Sequence, residues 1–177
     1  GGTITFESEQ GVGTTFVIRV PFKIDMEADK REEQNDVSEK SIKGLHILLA
    51  EDNELNMEIA EFMLQNEEAD VTKAWNGQEA VELFRKSEPG EFDAILMDIM
   101  MPVINGYDAA KRIRSLDRED AKTIPIIAMT ANAFTEDRLR AKEAGMDEHI
   151  AKPVDMELLI KVIHGLVKKI DMAVPDK

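Results

Sequence analysis

Cysteine is absent from the 177 residues, which excludes disulfides and thiolate metal sites. Apolar runs of the roughly 20 residues that span a bilayer are also missing. No signal peptide opens the chain, which begins Gly1-Gly2 and carries acids early. The initiator Met is lacking too, so the expectation is a piece of a longer protein. Basic residues are the minority: 22 Lys and Arg stand against 36 Asp and Glu, a formal net charge of −14. That balance disfavours non-specific binding to nucleic acid or an anionic membrane and favours cations. These absences together imply a soluble, cytoplasmic setting.

What is present falls into four stretches. Residues 1–22 read as a β-hairpin, with Ile4 and Phe6, then Phe16, Ile18 and Val20, alternating with polar neighbours around a glycine-containing turn. Residues 23–43 are charged, free of aromatics and unable to bury enough apolar area to offset ordering entropy, so they read as a linker. Residues 44–170 alternate strand and helix patterns, and 171–177 are a tail. In the third stretch the predicted strands are Leu45–Ala50, Ala69–Trp75 (edge-like, because polar residues interrupt it), Phe92–Met97, Ile124–Met129 and Glu148–Ala151. The first predicted helix, Glu54–Glu67, carries Leu55, Ile59, Phe62 and Met63 at helical spacing. The second opens at Asn76-Gly77 with Ala80, Val81, Leu83 and Phe84. The third, Gly106–Leu116, turns Ala109, Ala110, Ile113 and Leu116 inward. Thr135–Ala144 is polar and ends at Gly145, a good cap. Asp155–Ile170 has a core stripe of Leu159, Val162, Ile163, Leu166 and Ile170.

Five strands alternating with five helices predict an α/β fold, a (βα)5 doubly wound parallel sheet. The flavodoxin-like order 2-1-3-4-5 suits this size. Such sheets bind ligands beyond the carboxyl ends of their strands, at the point where the order reverses. Those ends carry Glu51-Asp52, Asp98, Thr130-Ala131 and Lys152-Pro153. Three carboxylates gathered there would raise one another's pKa values unless a divalent cation and the lysine offset them. Mg2+ fits, since it takes a few carboxylates, keeps waters and accepts a substrate phosphate. Asp98 would bind the metal and attack phosphorus to form an acyl phosphate. Lys152 and the metal would neutralise the transferring group, and Thr130 would donate to it.

Glu51-Asp52-Asn53, Leu96-Met97-Asp98-Ile99-Met100-Met101-Pro102, Asn105-Gly106-Tyr107, Ala128-Met129-Thr130-Ala131-Asn132 and Ala151-Lys152-Pro153, in this order and spacing, resemble a response-regulator receiver domain. The resemblance implies that Asp98 is the phospho-acceptor and Glu51 and Asp52 the acidic metal pair. It implies that the backbone carbonyl of Met100 is a further metal contact, Thr130 the switch hydroxyl and Lys152 the phosphate-binding lysine, followed by a cis bond to Pro153. Gly1-Gly2-Thr3-Ile4-Thr5-Phe6-Glu7-Ser8, with Gly11-Val12-Gly13-Thr14-Thr15-Phe16 and Val20-Pro21, resembles the end of a histidine-kinase ATP-binding domain. The other nucleotide elements of that family, an Asn-rich helix and an Asp-x-Gly-x-Gly loop, are absent from this sequence. Together the two resemblances imply a hybrid sensor histidine kinase, a kinase histidine as phosphodonor and a histidine-phosphotransfer domain as onward acceptor. A complete kinase catalytic domain is not expected in this chain, whereas the receiver would catalyse its own phosphorylation and dephosphorylation.

Two positions depart from the family's usual residues. His149 stands three residues before the lysine, where Tyr or Phe usually reports the switch; an ordinary partly exposed histidine is the simpler account. Asn105 stands where aspartate is frequent, at a turn. Met100 and Asn132 flank the site at positions that tune phosphoryl lifetime in the family. His46 and His164 lack a phosphorylation-type context and read as structural, and Glu136, Asp137, Arg138, Arg140, Lys142 and Glu143 read as a solvated helix face. A receiver-like interaction module that is never phosphorylated would be marked by loss of the acceptor, an acid or the lysine, and none is lost. A flavodoxin-type flavin protein would need a loop rich in Ser, Thr and Gly after the first strand, where Glu51-Asp52-Asn53-Glu54 would repel a phosphate.

Overall fold

The computed structural model describes residues 2–21, 41–131 and 135–171, with backbone only at 135, 136 and 168–171. Most of the expected linker and tail, and Asn132, lie outside the described residues. The chain divides into two compact units, Gly1–Ser38 and Glu39–Lys177.

In the first unit, β1 (Thr3–Glu9) and β2 (Gly13–Arg19) pair antiparallel. The turn between them places Gly11 at φ 81°, a left-handed conformation that glycine adopts without a Cβ penalty. Cross-strand partners Ile4 and Ile18, and Phe6 and Phe16, share one face, with the two phenyl rings 5.9 Å apart. All four are exposed.

In the second unit the strands are β3 (His46–Ala50), β4 (Asp70–Ala74), β5 (Ala94–Asp98), β6 (Ile126–Thr130) and β7 (Glu148–Ala151). They form one parallel sheet in the order β4-β3-β5-β6-β7, which is the predicted 2-1-3-4-5, with the polar-interrupted strand at an edge as expected. The helices are α1 (Glu54–Asn66), α2 (Gly77–Lys86), α3 (Gly106–Arg114), α4 (Asp120–Thr123), α5 (Thr135–Glu143) and α6 (Met156–Asp171). The single-turn α4 is an addition, too short for periodicity to reveal.

Strand alternation divides the core between the two faces. Leu48, Ala50, Ile95, Met97, Ile126 and Ala128 pack against Ala80, Val81 and Phe84 of α2 and Ala109, Ala110 and Ile113 of α3. On the opposite face, Ile47, Leu49, Leu96, Ile127, Met129 and Ile150 meet Met57 and Leu64 of α1 and Leu159 and Ile163 of α6. Each fully buried aliphatic side chain contributes roughly 1.5–3 kcal/mol, and the central strands β5 and β6 are buried at every position.

The helical spacing on α1 does not by itself mark the buried face. Leu55, Ile59 and Phe62 do lie at helical spacing on α1, but they are 64%, 50% and 65% exposed, whereas Met57 and Leu64 are fully buried. The helix carries apolar residues on two faces, and periodicity alone cannot choose between them. Packing against Ile47 and Leu49 selects the face of Met57 and Leu64.

Three helices begin at asparagine caps: Asn53, Asn76 and Asn105 each accept the backbone N–H three residues on. A capping asparagine satisfies one of the otherwise unpaired first-turn donors. Asn105, read as a turn residue, is therefore the device that starts α3. Below the sheet ends, Arg118 fixes the second crossover. Its guanidinium lies 4.5 Å from the centre of the Phe84 ring, makes two 2.6 Å bonds to Asp120 and donates to the carbonyls of Phe84, Ser87 and Glu88.

Candidate functional site

Glu51 follows β3 directly, Asp98 ends β5, Thr130 ends β6 and Lys152 follows β7. Register brings them together. Asp98 stands beside Met129, Thr130 lies one residue beyond it, and Thr130 pairs with Ala151 just before the lysine. Among the described residues, the buried polar or charged residues are Glu51, Asp98 and Thr130. A buried polar group is costly without partners, and this fold concentrates that cost at one end of its central strands.

The partners are specific. The Lys152 ammonium donates to Glu51 Oε2 at 2.5 Å and pairs with Asp98 Oδ2 at 2.8 Å. The Met100 backbone N–H donates to Asp98 Oδ1 at 3.3 Å. Glu51 Oε1 accepts from the Asn56 side-chain amide at 3.0 Å and from the Asn53 backbone N–H at 3.4 Å. The Lys152 backbone N–H donates to the Thr130 carbonyl at 2.7 Å, and the Lys152–Pro153 peptide is cis.

Burial pushes the Asp98 carboxyl above the usual carboxylate range, and neighbouring Glu51 adds to the rise; the Lys152 ammonium and the Met100 N–H oppose it. For Lys152 burial acts downward, but hydrogen bonds to Asp98 and Glu51 outweigh it and the amine lies above its ordinary value. It is therefore an ammonium at neutral pH. The site holds more negative charge than one lysine neutralises, a setting for a divalent cation.

Carboxylate oxygens of Glu51, Asp52 and Asp98 lie within 4.8 Å of one another, with Asp52 exposed beside the other two. Hard oxygen donors in that number suit Mg2+, which keeps part of its hydration shell. A carboxylate oxygen of Asp98 beside such a cation position and an ammonium can be presented to an electrophile that carries negative charge.

The other expected residues stand as follows. Met100 is in the loop after β5, its side chain 75% exposed. His149 is on β7 opposite Ala128, not at the acidic cluster. Its ring is 3.8 Å from the Glu148 carboxylate, and with Arg138, Leu139 and Lys142 it lines a cavity of about 670 Å³ beside α5. His46, at the amino end of β3, bonds Thr72 across the sheet, and His164 bonds the Ser41 carbonyl.

Sequence reasoning missed two contributors. Asn56 grips Glu51; its one signal was a second amide residue three positions after an asparagine cap. Gly106 lets the start of α3 lie against the end of β5. A Cβ there would fall 2.2 Å from the Asp98 carbonyl oxygen and 3.0 Å from the Ile99 Cα. The signal was a glycine directly after Asn105, read as the first residue of a helix and as part of a motif but given no packing role.

Residues 47–164 match the model of the response regulator receiver domain. The aerobic respiration control sensor protein ArcB of Escherichia coli is 34% identical over 92% of the chain and 20% of its own length. Histidine kinase 1 of Arabidopsis thaliana is 34% identical over 74% of the chain and 13% of its own length. The chain thus spans a fifth or less of these curated relatives. Among solved structures, the receiver domain of sensor histidine kinase PA1611 from Pseudomonas aeruginosa superposes with a TM-score of 0.64. It is 38% identical over 71% of this chain and 98% of that one, and it carries a magnesium ion in its active-site cleft. The receiver domain of Ssk1 from Saccharomyces cerevisiae, solved with the histidine phosphotransfer protein Ypd1, gives a TM-score of 0.60 at 30% identity over 68% of this chain and 87% of that one.

Proposed function

This chain belongs to the response regulator receiver domain family, and from that membership we propose that Asp98 accepts a phosphoryl group from a kinase phosphohistidine in a Mg2+-dependent phosphorelay. The observation that carries the reading is the ammonium of Lys152 held between buried Glu51 and Asp98 at the reversal point of the sheet.

The chemistry follows from these groups. An Asp98 oxygen attacks phosphorus while the donor's histidine nitrogen departs, leaving an acyl phosphate. Lys152 sits where it can neutralise the transferring oxygens, whose charge peaks in the transition state. Thr130, at the end of the neighbouring strand, is the hydroxyl that would donate to the new phosphoryl group, and His149 would take the reporting position further along β7. Mg2+, held by Glu51, Asp52, Asp98 and the Met100 carbonyl, would supply charge neutralisation at the phosphoryl oxygens.

Acetyl phosphate with Mg2+ should add one phosphoryl group to the protein by intact-mass measurement, and a chelator should prevent it. A protein that stays unmodified with Mg2+ present would overturn the proposal.

The donor's place is indicated by the stripe of Leu55, Ile59 and Phe62, exposed on α1 and beginning just after the acidic pair. An exposed apolar row on a helix suits docking against another protein's helices. Phe62→Asp should slow transfer from a phosphorylated histidine domain by about tenfold or more, the scale of one lost anchor. The acetyl phosphate rate should stay within twofold. Equal slowing with both donors would place Phe62 in the fold, not in docking.

We further assign residues 1–22 to the end of a histidine-kinase ATP-binding domain and the parent to the hybrid kinases, with a histidine-phosphotransfer domain as onward partner. The ArcB alignment, which takes in 92% of the chain, supports this. Among the described residues no helix is long and apolar enough to cross a membrane. The cytoplasm is the setting that fits a phosphorelay and a cysteine-free acidic chain.

A further inference from the structure

The turn from β3 into α1 is built unusually. In a common helix start the cap side chain takes the N–H three residues on, and the side chain there reaches back to the cap N–H. Here Asn53 does its half, accepting the Asn56 backbone N–H at 3.0 Å. The return half goes through Glu51. Its Oε1 takes the Asn53 N–H at 3.4 Å and the Asn56 side-chain amide at 3.0 Å. A carboxylate only accepts, so the Asn56 group facing it is the amide NH2, and the opposite flip would set two oxygens against each other.

This assigns the two oxygens of Glu51 to different tasks. Oε1 is committed to the helix start. Oε2 is the one that meets Lys152 at 2.5 Å and lies on the side of Asp98. With the residue 2% exposed, no water can stand in freely for the amide.

We propose that Asn56 is a positioning residue for the cation site: it fixes the rotation of the Glu51 carboxylate, holding Oε1 at the helix start and leaving Oε2 beside the ammonium that also reaches Asp98. The inference rests on the Mg2+ reading above. It differs from that reading in assigning a role to a residue outside the acidic cluster and outside the receiver motifs. Groups that orient a ligating carboxylate typically contribute 10- to 100-fold in metal affinity.

Mg2+ titration of the chain, followed by the backbone amide shifts of Glu51 and Asp98, tests it. Asn56→Leu is similar in size and lacks the donor; Asn56→Ala is the second variant should the first fold poorly. Either should weaken Mg2+ binding by about tenfold while the metal-free circular dichroism spectrum stays that of the wild type. In a Glu51→Gln background the same change should alter affinity by less than twofold, because the carboxylate through which Asn56 acts is gone. Affinity unchanged by Asn56→Leu, or weakened equally with and without Glu51→Gln, would overturn the assignment. Absence of Mg2+ binding by the wild type would instead sink the functional reading itself.

Discussion

Asp98→Asn should take up no phosphoryl group from acetyl phosphate in Mg2+, and its metal-free form should unfold at a higher temperature than the wild type. The first half follows from losing the nucleophilic oxygen anion. The second follows from burial. Asp98 is 5% exposed and sits beside Glu51, and burial raises its carboxyl above the usual range. An acid raised in this way binds its proton more tightly folded than unfolded. Its ionisation therefore opposes folding as pH rises through the window between the ordinary and the raised value, and the penalty is complete above that window. A neutral amide removes the penalty at neutral pH, and its single carbonyl oxygen can still accept from one of the two donors that meet Asp98, Lys152 or the Met100 N–H. Relief of buried charge of this kind is worth on the order of 1 kcal/mol or more, or roughly 2–4 °C in Tm for a protein of this size. The difference between variant and wild type should shrink as pH falls below the ordinary carboxylate value, where both side chains are neutral. A variant less stable than wild type at neutral pH would show that the Lys152 pair outweighs desolvation.

Gly106→Ala should be the most damaging single methyl in the domain. The added carbon would meet the Asp98 carbonyl oxygen at 2.2 Å, the Asp98 carbonyl carbon at 3.0 Å and the Ile99 Cα at 3.0 Å. All three are backbone, so no side chain can swing aside. Relief requires moving either the start of α3, where the Gly106 N–H bonds the Ile99 carbonyl at 3.0 Å, or the end of β5. Overpacking of this severity costs about 3 kcal/mol, near 10 °C in Tm, measurable by thermal unfolding. Phosphorylation of the fraction that folds should fall as well, because the displaced segment carries Asp98. Gly90→Ala is the control. Its φ of +79° makes a side chain strained, but nothing lies within 4 Å, so about 1 kcal/mol is expected. Equal losses at the two positions would remove the close-approach argument.

Strand order and strand ends were legible in the sequence because both rest on strong, local signals. The central strands are near-continuous apolar runs, and each stops at a polar residue that burial makes conspicuous. Asp98 after Ile95-Leu96-Met97 needs no neighbour to be noticed. Glu51, Thr130 and Lys152 then follow from topology, since parallel strands put all their carboxyl ends on one side. What the sequence hid is relational. Leu55, Ile59 and Phe62 have the spacing of a core stripe, and only the position of Ile47 and Leu49 shows that Met57 and Leu64 form the buried one. Asn56 is an unremarkable polar helix residue until Glu51 turns toward it. Arg118 holds the end of α2 and the two residues that follow it through contacts 30 or more residues apart in sequence, a distance at which no pattern operates.

The open edges of the parallel sheet restrict how this domain can be recognised. A strand at an edge displays unpaired backbone groups that another chain can zip onto, the mode used wherever an extended peptide is added to a sheet. Here β4 carries Asp70 and Lys73, the latter tied to Glu61 of α1 at 2.9 Å, and β7 is only four residues long and begins with Glu148. Short, charged edges resist such zipping. Recognition of this domain by other proteins is therefore left to its helices and loops, where side-chain shape and charge discriminate, and not to the sequence-blind backbone.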